Sequence, residues 1–253
     1  MSRIDNVSII KESLFNHCYC LCVLAPKLTS KLIQSIVGIH GSGDMMTKYF
    51  PNAKFLQIPS LNPNINIIDF AHTAFGKECL CPIHIDDENT WARDVQLIKN
   101  GQIHECMTDK KSAEIMSLPL TGNARSAGVG KPPEVHFRNF ALLPGKDNHE
   151  DMLNTIKEGY YLVDGFGTEI SEHDEFACHV NEAYEIKNSV IGKKINPAMI
   201  WGFGIDFLQS ITLIGDDFKW FIHDEYEKRT GIRSSIGAPH ILARVNIEPD
   251  PFY

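Results

Sequence analysis

Residues 94–109 read DVQLIKNGQIHECMTD, two runs of alternating polarity on either side of Asn100-Gly101. Asn-Gly supplies positive φ at both central positions of a type I′ turn, so the segment predicts an antiparallel hairpin, the strongest local signal in the chain. Upstream, residues 50–70 read as a loop rich in Pro and Asn that ends in the strand-like run NINIIDF. Downstream, SLPLTGNARSAGVGKPP is dense in Gly, Pro and small polar residues, with Arg125 and Lys131 its only charges, and reads as a long exposed or site-lining loop. EVHFRNFALLPG, YYLVDGFGTEI, DEFACHVNEAYEIKNSVIG and APHILARVNIEP read as further strands.

Three helices are expected among these strands. Leu28, Leu32, Ile33, Ile36 and Val37 recur at helical spacing between Pro26 and Gly38. Asp147-Asn148-His149-Glu150 resembles a capping box opening a helix over 150–158, with Met152, Leu153 and Ile156 facing the core. Met199, Ile200, Phe203, Phe207, Leu208 and Ile211 suggest a third helix with an aromatic stripe in the core. The expected class is α+β: strand-rich mixed or antiparallel sheets with about three packed helices, without alternating βαβ units. No interdomain linker, low-complexity tract or internal repeat is evident, and 1–253 reads as a single domain.

Composition narrows the function. The 253 residues are 43% hydrophobic and 22% charged, ordinary for a globular chain, and the net charge is -8. That charge, without a basic run, argues against nucleic acid or an anionic membrane as partner, since both are held by Lys and Arg on phosphate. MSRIDNVSIIKESLFNH lacks the apolar core of a signal peptide and no window is apolar enough to span a bilayer, so a cytoplasmic location is expected.

Seven cysteines are present, and Cys18, Cys20 and Cys22 alternate along one face of a strand. They form either a thiolate cluster with His17 or the small apolar side of a buried strand, and the second reading is preferred. Cys79-Leu-Cys81-Pro-Ile-His84-Ile-Asp86 does not have the spacing of a usual zinc module. Asp86-Asp87-Glu88 and Glu172-His173-Asp174-Glu175 read as solvated loop faces. Phosphate loop, dinucleotide fingerprint, G-x-S-x-G elbow and HExxH helix are all absent from the sequence. His40 ends an apolar helical run, but Ile36 and Val37 stand where a second ligand on that helix face would be, so it reads as a turn residue.

Several segments, taken in order, resemble the C-terminal domain of the TldD/PmbA family. They are DDENTWARDVQLIKNGQIHECMTDKKSAEIM, TGNARS at Thr121–Ser126, NFALLPG at Asn139–Gly145, KEGYYLVDGFG, and GAPHILARVNI at Gly237–Ile247. The family's catalytic members carry an H-E-x-x-x-H zinc motif at the end of the first helix and a cysteine ligand before the closing strand. Aligned on LTSKLI, those helix positions fall at Gln34, Ser35 and Ile39, and FIHDEYEKRTGIRSSIGAPH contains no cysteine. His40 lies one residue past the second histidine position, about 100° around the helix.

The resemblance therefore implies a zinc-less member of the PmbA/TldE branch, lacking the family's N-terminal domain. Such a chain would have no cofactor of its own, and zinc would sit in a partner subunit, a TldD-like homologue. Together they would proteolyse short or unfolded peptides such as a leader peptide. Thr121, Gly122, Asn123, Arg125 and Asn139 are the expected peptide-binding residues, and no catalytic or metal-binding residue is assigned. Two alternatives are an enzyme with a metal site rebuilt from Cys79, Cys81, His84 or His223, and a scaffolding partner without a cleft.

Overall fold

The computed structural model describes residues 18–49, 60–171, 173–224 and 232–250. The chain runs through β1 (Cys18–Leu24), α1 (Pro26–His40), α2 (Gly43–Tyr49) and β2 (Ile67–Phe70) to a ribbon of β3 (Thr73–Ala74) and β4 (Lys77–Glu78). Next come β5 (Val95–Lys99), β6 (Gln102–Ile103), α3 (Lys110–Met116), a second ribbon of β7 (Ala124–Arg125) and β8 (Glu134–Val135), and β9 (Asn139–Leu142). The remainder is α4 (His149–Thr155), β10 (Glu158–Ile170), β11 (Glu175–Lys187), β12 (Val190–Lys194), β13 (Ala198–Phe203), α5 (Gly204–Ser210), β14 (Leu213–Ile214), β15 (Lys219–Asp224), β16 (Arg233–Ala238) and β17 (Ile241–Pro249).

The first described strand closes a small barrel. β1 pairs in parallel with β10 and antiparallel with β17, so the path β1-β10-β11-β13-β17 returns on itself, with β12 and β14 appended. Closure leaves this ring without a free edge except at residues 243–245 of β17, between the pairings with β13 and β14. The second sheet has the order β15-β16-β9-β2-β5-β6 and is also mixed, because β16 and β9 run parallel. Helix α1 packs on β10 of the barrel and on β16 and β9 of the second sheet. Its predicted stripe of Leu28, Leu32, Ile33, Ile36 and Val37 is buried in one cluster with residues from both sheets. Each such side chain contributes about 2 kcal/mol on burial, so this helix is the chief apolar joint between the two layers.

β1 shows how the cysteine alternation is used. Cys20, Cys22 and Leu24 face the main cluster, whereas Leu21 and Val23 face a second one beneath α4. The preferred buried-strand reading is what the described residues display; His17 and the Cys18 side chain lie outside them. The Asn100-Gly101 turn is present with φ of 50° and 72°, joining β5 and β6.

Other expectations need correction. The described residues hold five helices rather than about three, and the barrel was not foreseen. The third predicted helix is half strand: Met199, Ile200 and Phe203 belong to β13, and only Phe207 and Leu208 of that stripe lie on α5. The helix expected over 150–158 is capped by Asn148, whose side chain accepts the Asp151 N–H, and ends at Thr155 so that β10 can begin. EVHFRNFALLPG holds two short strands with a break at His136–Arg138. His40 is the last residue of α1, not a turn residue, and its Nε2 lies 3.2 Å from Asp174 Oδ1.

At one junction, titratable groups are packed together. Asp217 Oδ2 lies 2.5 Å from His240 Nδ1, and His240 Nε2 lies 3.0 Å from the Tyr161 hydroxyl. Since the carboxylate accepts from Nδ1–H, neutral His240 accepts from the tyrosine at Nε2. The His149 ring of α4 packs 4.6 Å from the His240 ring, and Lys219 of β15 also faces it. Burial pushes His240 below its ordinary pKa; the Asp217 bond opposes this, while His149 and Lys219 reinforce it. The folded state thus binds this proton less tightly than the unfolded chain, so stability is lost as pH falls through the ordinary histidine range near about 6.5. Thermal melts should show the melting temperature falling on acidification, with a shallower fall in His240→Gln; an equal fall in both would assign the effect elsewhere.

Candidate functional site

The site expected from the sequence lies on the second sheet, where an acid and a base are buried face to face. Asp69 interrupts the apolar run of β2, and Arg138 precedes β9; both side chains are wholly inaccessible. Asp69 Oδ1 accepts the backbone N–H groups of Arg138 at 2.7 Å and Asn139 at 3.0 Å. Its Oδ2 accepts Arg138 Nε at 2.9 Å and Asn123 Nδ2 at 2.7 Å. Arg138 Nη1 donates to the Thr121 and Gly122 carbonyls, and Nη2 to those of Asp69 and Arg93. The guanidinium has five N–H donors, and the chain's own oxygens accept from all three of its nitrogens.

The expected peptide-binding residues are assembled around this pair, mostly from below. Thr121 exchanges bonds with the backbone of Thr108, its Oγ1 accepting at 2.7 Å and donating at 3.0 Å. Asn123 Nδ2 also donates to the His136 carbonyl. Asn139 Nδ2 donates to the carbonyls of Phe70, Ala71 and Cys81, while its Oδ1 accepts from Cys81 N and Ser235 Oγ. Gly122 has φ +72° and lies so close to the 91–92 backbone that a Cβ would stand 2.5 Å from Ala92 Cα. A side chain there would force the two segments apart and pull the Gly122 carbonyl from Arg138.

Arg125 differs from the other four. It is half-buried on β7 opposite Glu134, and its buried Nη1 has no hydrogen-bond partner among the described residues. Burial lowers its pKa from the ordinary value, and Asp87 counters this. Of the five expected residues it is the one with an unused side-chain donor, while Asn123 Oδ1, also buried, is left as an unused acceptor.

The acidic runs turn out to be organisers of backbone. Asp86 is buried, not solvated: Oδ1 accepts the N–H groups of Glu88 and Thr90, and Oδ2 that of Ala124. Asp87 accepts Ser126 N–H and Glu88 accepts Lys110 N–H. Asp174, at φ +67°, accepts the Ile205 N–H at 2.7 Å and meets His40, joining the ends of α1 and α5. Asp86 and Asp174 are therefore not the solvated side chains expected, whereas Asp87 and His173 are exposed as expected and Glu172 lies outside the described residues. Carboxylates in loops look the same in sequence whether they face water or free N–H groups.

The Cys/His residues considered for a rebuilt metal site are dispersed. Cys79 and Cys81 are buried, and burial, with Asp94 and Asp69 nearby, pushes the Cys79 thiol up to about 12. His84 stacks on His72 at 4.6 Å, whereas His223 lies against Phe137 at 5.6 Å. Among the described residues no three His, Cys, Asp or Glu side chains are placed to hold a metal ion.

Arg138 and Asp69 were missed as a pair. The available signal was a charge inside each apolar run, IIDF and FRNF, of opposite sign.

A mixed barrel and a second mixed sheet bridged by one helix define an α+β domain. The family model described as PmbA/TldA metallopeptidase C-terminal domain matches residues 18–248, and the chain belongs to this TldD/PmbA family. It is 33% identical over 164 residues to the zinc metalloprotease TldD homolog of Saccharolobus solfataricus, covering 64% of this chain and 37% of that protein. It is 33% identical over 138 residues to the metalloprotease TldD homolog of Buchnera aphidicola subsp. Acyrthosiphon pisum, covering 54% and 29%. The chain thus spans about a third of the length of these curated relatives. Its fold is similar to TldE from Thermococcus kodakarensis, with TM-score 0.76, 20% identity and coverage of 92% of this chain and 50% of that one. Among the described residues no helix is long and apolar enough to cross a membrane.

Removing one partner of the buried pair strands the other. Arg138→Met should destabilise the fold by about 3–5 kcal/mol in denaturant unfolding, and Arg138→Met with Asp69→Asn by less, because no unpaired charge then remains. A double variant no better than the single would mean that the carbonyl contacts, not the charge, dominate.

Proposed function

We propose that this chain is a catalytically degenerate, zinc-less subunit that pairs with a zinc-bearing TldD-like homologue to proteolyse short or unfolded peptides, a leader peptide among them. The carrying observation is the donor set of α1. The positions that align with the family's H-E-x-x-x-H motif hold an amide, a hydroxyl and an alkyl group at Gln34, Ser35 and Ile39, none of them in the zinc ligand set of His, Cys and carboxylate. Ser35 Oγ lies 3.5 Å from Gln34 Oε1, and Gln34 Nε2 lies 3.1 Å from where a Gly38 Cβ would stand, so the polar groups are turned on the helix itself. His40 is engaged by Asp174. These residues do not fit a zinc ion, and the metal chemistry is assigned to the partner.

The TldE-like fold supports membership of a pairing branch, and the zinc metalloprotease name of the Saccharolobus relative supports the kind of partner. Branch membership itself rests on the ligand positions, because the curated relatives carry TldD names. In this reading β15, at the edge of the second sheet with Ile222 exposed, offers main-chain groups to which an extended peptide adds as a strand. Arg125 donates its unused N–H to a peptide oxygen, while Thr121, Gly122, Asn123 and Asn139 hold its loop in place.

Mixing the purified chain with its zinc-bearing homologue should produce a peptide cleavage abolished by EDTA that neither protein shows alone; EDTA-sensitive cleavage by this chain alone would sink the proposal. In the complex, Arg125→Ala should lower kcat/KM about tenfold, the scale of one charge-assisted hydrogen bond, with assembly and melting temperature unchanged. Unchanged turnover would remove Arg125 from the peptide path.

A further inference from the structure

A groove outside the region assigned to peptide cleavage opens where two barrel strands part. β13 and β17 pair from Ala198↔Pro249 to Trp201↔Asn246, and β14 takes up β17 again only at Leu213↔Leu242. Residues 243–245 therefore lack a strand neighbour on that edge, while their other edge is paired to β1. The Ser210 hydroxyl at the end of α5 fills part of the gap, accepting from Arg244 N–H at 2.9 Å while its one proton is shared between the Phe207 carbonyl at 2.7 Å and the Arg244 carbonyl at 3.2 Å. The unfilled remainder is a groove open to solvent, with a volume of about 560 Å³.

Its chemistry is of two kinds. Trp201 and exposed Phe203 supply aromatic surface over the buried Phe176 and Phe207, and Asn246 donates Nδ2 to the Trp201 carbonyl at 3.2 Å. At the mouth, the Arg244 guanidinium lies 5.9 Å over the Tyr19 ring. A cation over a ring face is oriented but not neutralised, and its in-plane N–H fork stays open to a planar anion. Among the described residues no carboxylate forms an ion pair with Arg244. The lining also includes Asp206 and Gln209 from the exposed face of α5.

We propose that this groove binds a ligand with a carboxylate beside an aromatic or bulky apolar group, the carboxylate bidentate on Arg244 and the apolar group on Trp201. Two sources carry that chemistry: the C-terminal residue of a peptide, and a free amino acid. Asp206 distinguishes them, since only the free amino acid brings an ammonium to it. The inference does not depend on the zinc-less reading, because no residue of α1 or of the Thr121–Pro133 loop takes part.

Calorimetric titration of the full chain with N-acetylphenylalanine, its carboxamide and phenylalanine tests this. The acid should bind about tenfold more tightly than the carboxamide, the worth of a charge-assisted pair, and Arg244→Gln should abolish that difference. Arg244 is exposed, and circular dichroism verifies that the variant is folded. Tighter binding of phenylalanine than of its N-acetyl derivative, lost in Asp206→Asn, identifies a free amino acid; the reverse order identifies a peptide C-terminus. Absence of binding by all three, equal binding of acid and carboxamide, or discrimination that survives in Arg244→Gln would overturn the proposal.

Discussion

The second sheet depends on one buried ion pair. Asp69 and Arg138 are both removed from water, which costs several kcal/mol per ion unless every lone pair and N–H finds a partner. Here Asp69 accepts four hydrogen bonds, and Arg138 reaches carbonyls on the segments around 93 and 121–122. These segments have no ladder joining them into the six-stranded sheet, so the pair holds loops that strand pairing cannot reach. The positive φ of Gly122 follows from the same demand, since its carbonyl must approach a fixed guanidinium. Site and fold are in this way one network: the loop carrying Arg125 stands on Asn123, and Asn123 stands on Asp69.

Barrel closure sets the second constraint. β1 must pair with β10 and with β17, segments more than a hundred residues away, before α1 can follow into place. Its register is specified because Cys20, Cys22 and Leu24 fill one cluster and Leu21 and Val23 another; a slip by one residue would exchange the two faces. Ala25 N–H then donates to Leu162 O at 2.8 Å, anchoring the start of α1 to β10. Helix α1 is thus aimed by the barrel and pressed against the second sheet.

Much of this was legible in the sequence where the signal is local. The Asn100-Gly101 turn, the stripe of α1 and the alternating runs of β10, β11 and β17 all emerge from neighbouring residues. Closure is not legible, because it joins Cys18–Leu24 to Ile241–Ile247, and nothing in either segment names the other. The Met199–Ile211 segment misleads for a different reason: apolar residues at 199, 200, 203, 207 and 208 satisfy a helical period, yet a strand through 203 and a helix from 204 bury the same atoms. At the candidate site, composition failed to separate two cases. Thr, Gly and Asn suit an exposed ligand loop, and they equally suit a buried seam where small side chains bond to backbone; four of the five expected residues are of the second kind.

The two faces of α1 explain how chemistry can change on this scaffold without loss of the fold. Leu28, Leu32, Ile33, Ile36 and Val37 are fully buried and join the layers, whereas Gln34 and Ser35 lie off that stripe and are only half-buried. Exchanging a side chain at 34 or 35 leaves the apolar contacts in place, so the energetic penalty there is that of a partly exposed helix position, typically within about 0.5 kcal/mol. A substitution on the stripe removes about 2–5 kcal/mol. Likeness of fold therefore constrains the stripe far more than positions 34 and 35, and membership of the family fixes the architecture of this chain without fixing what the half-buried side chains of α1 do.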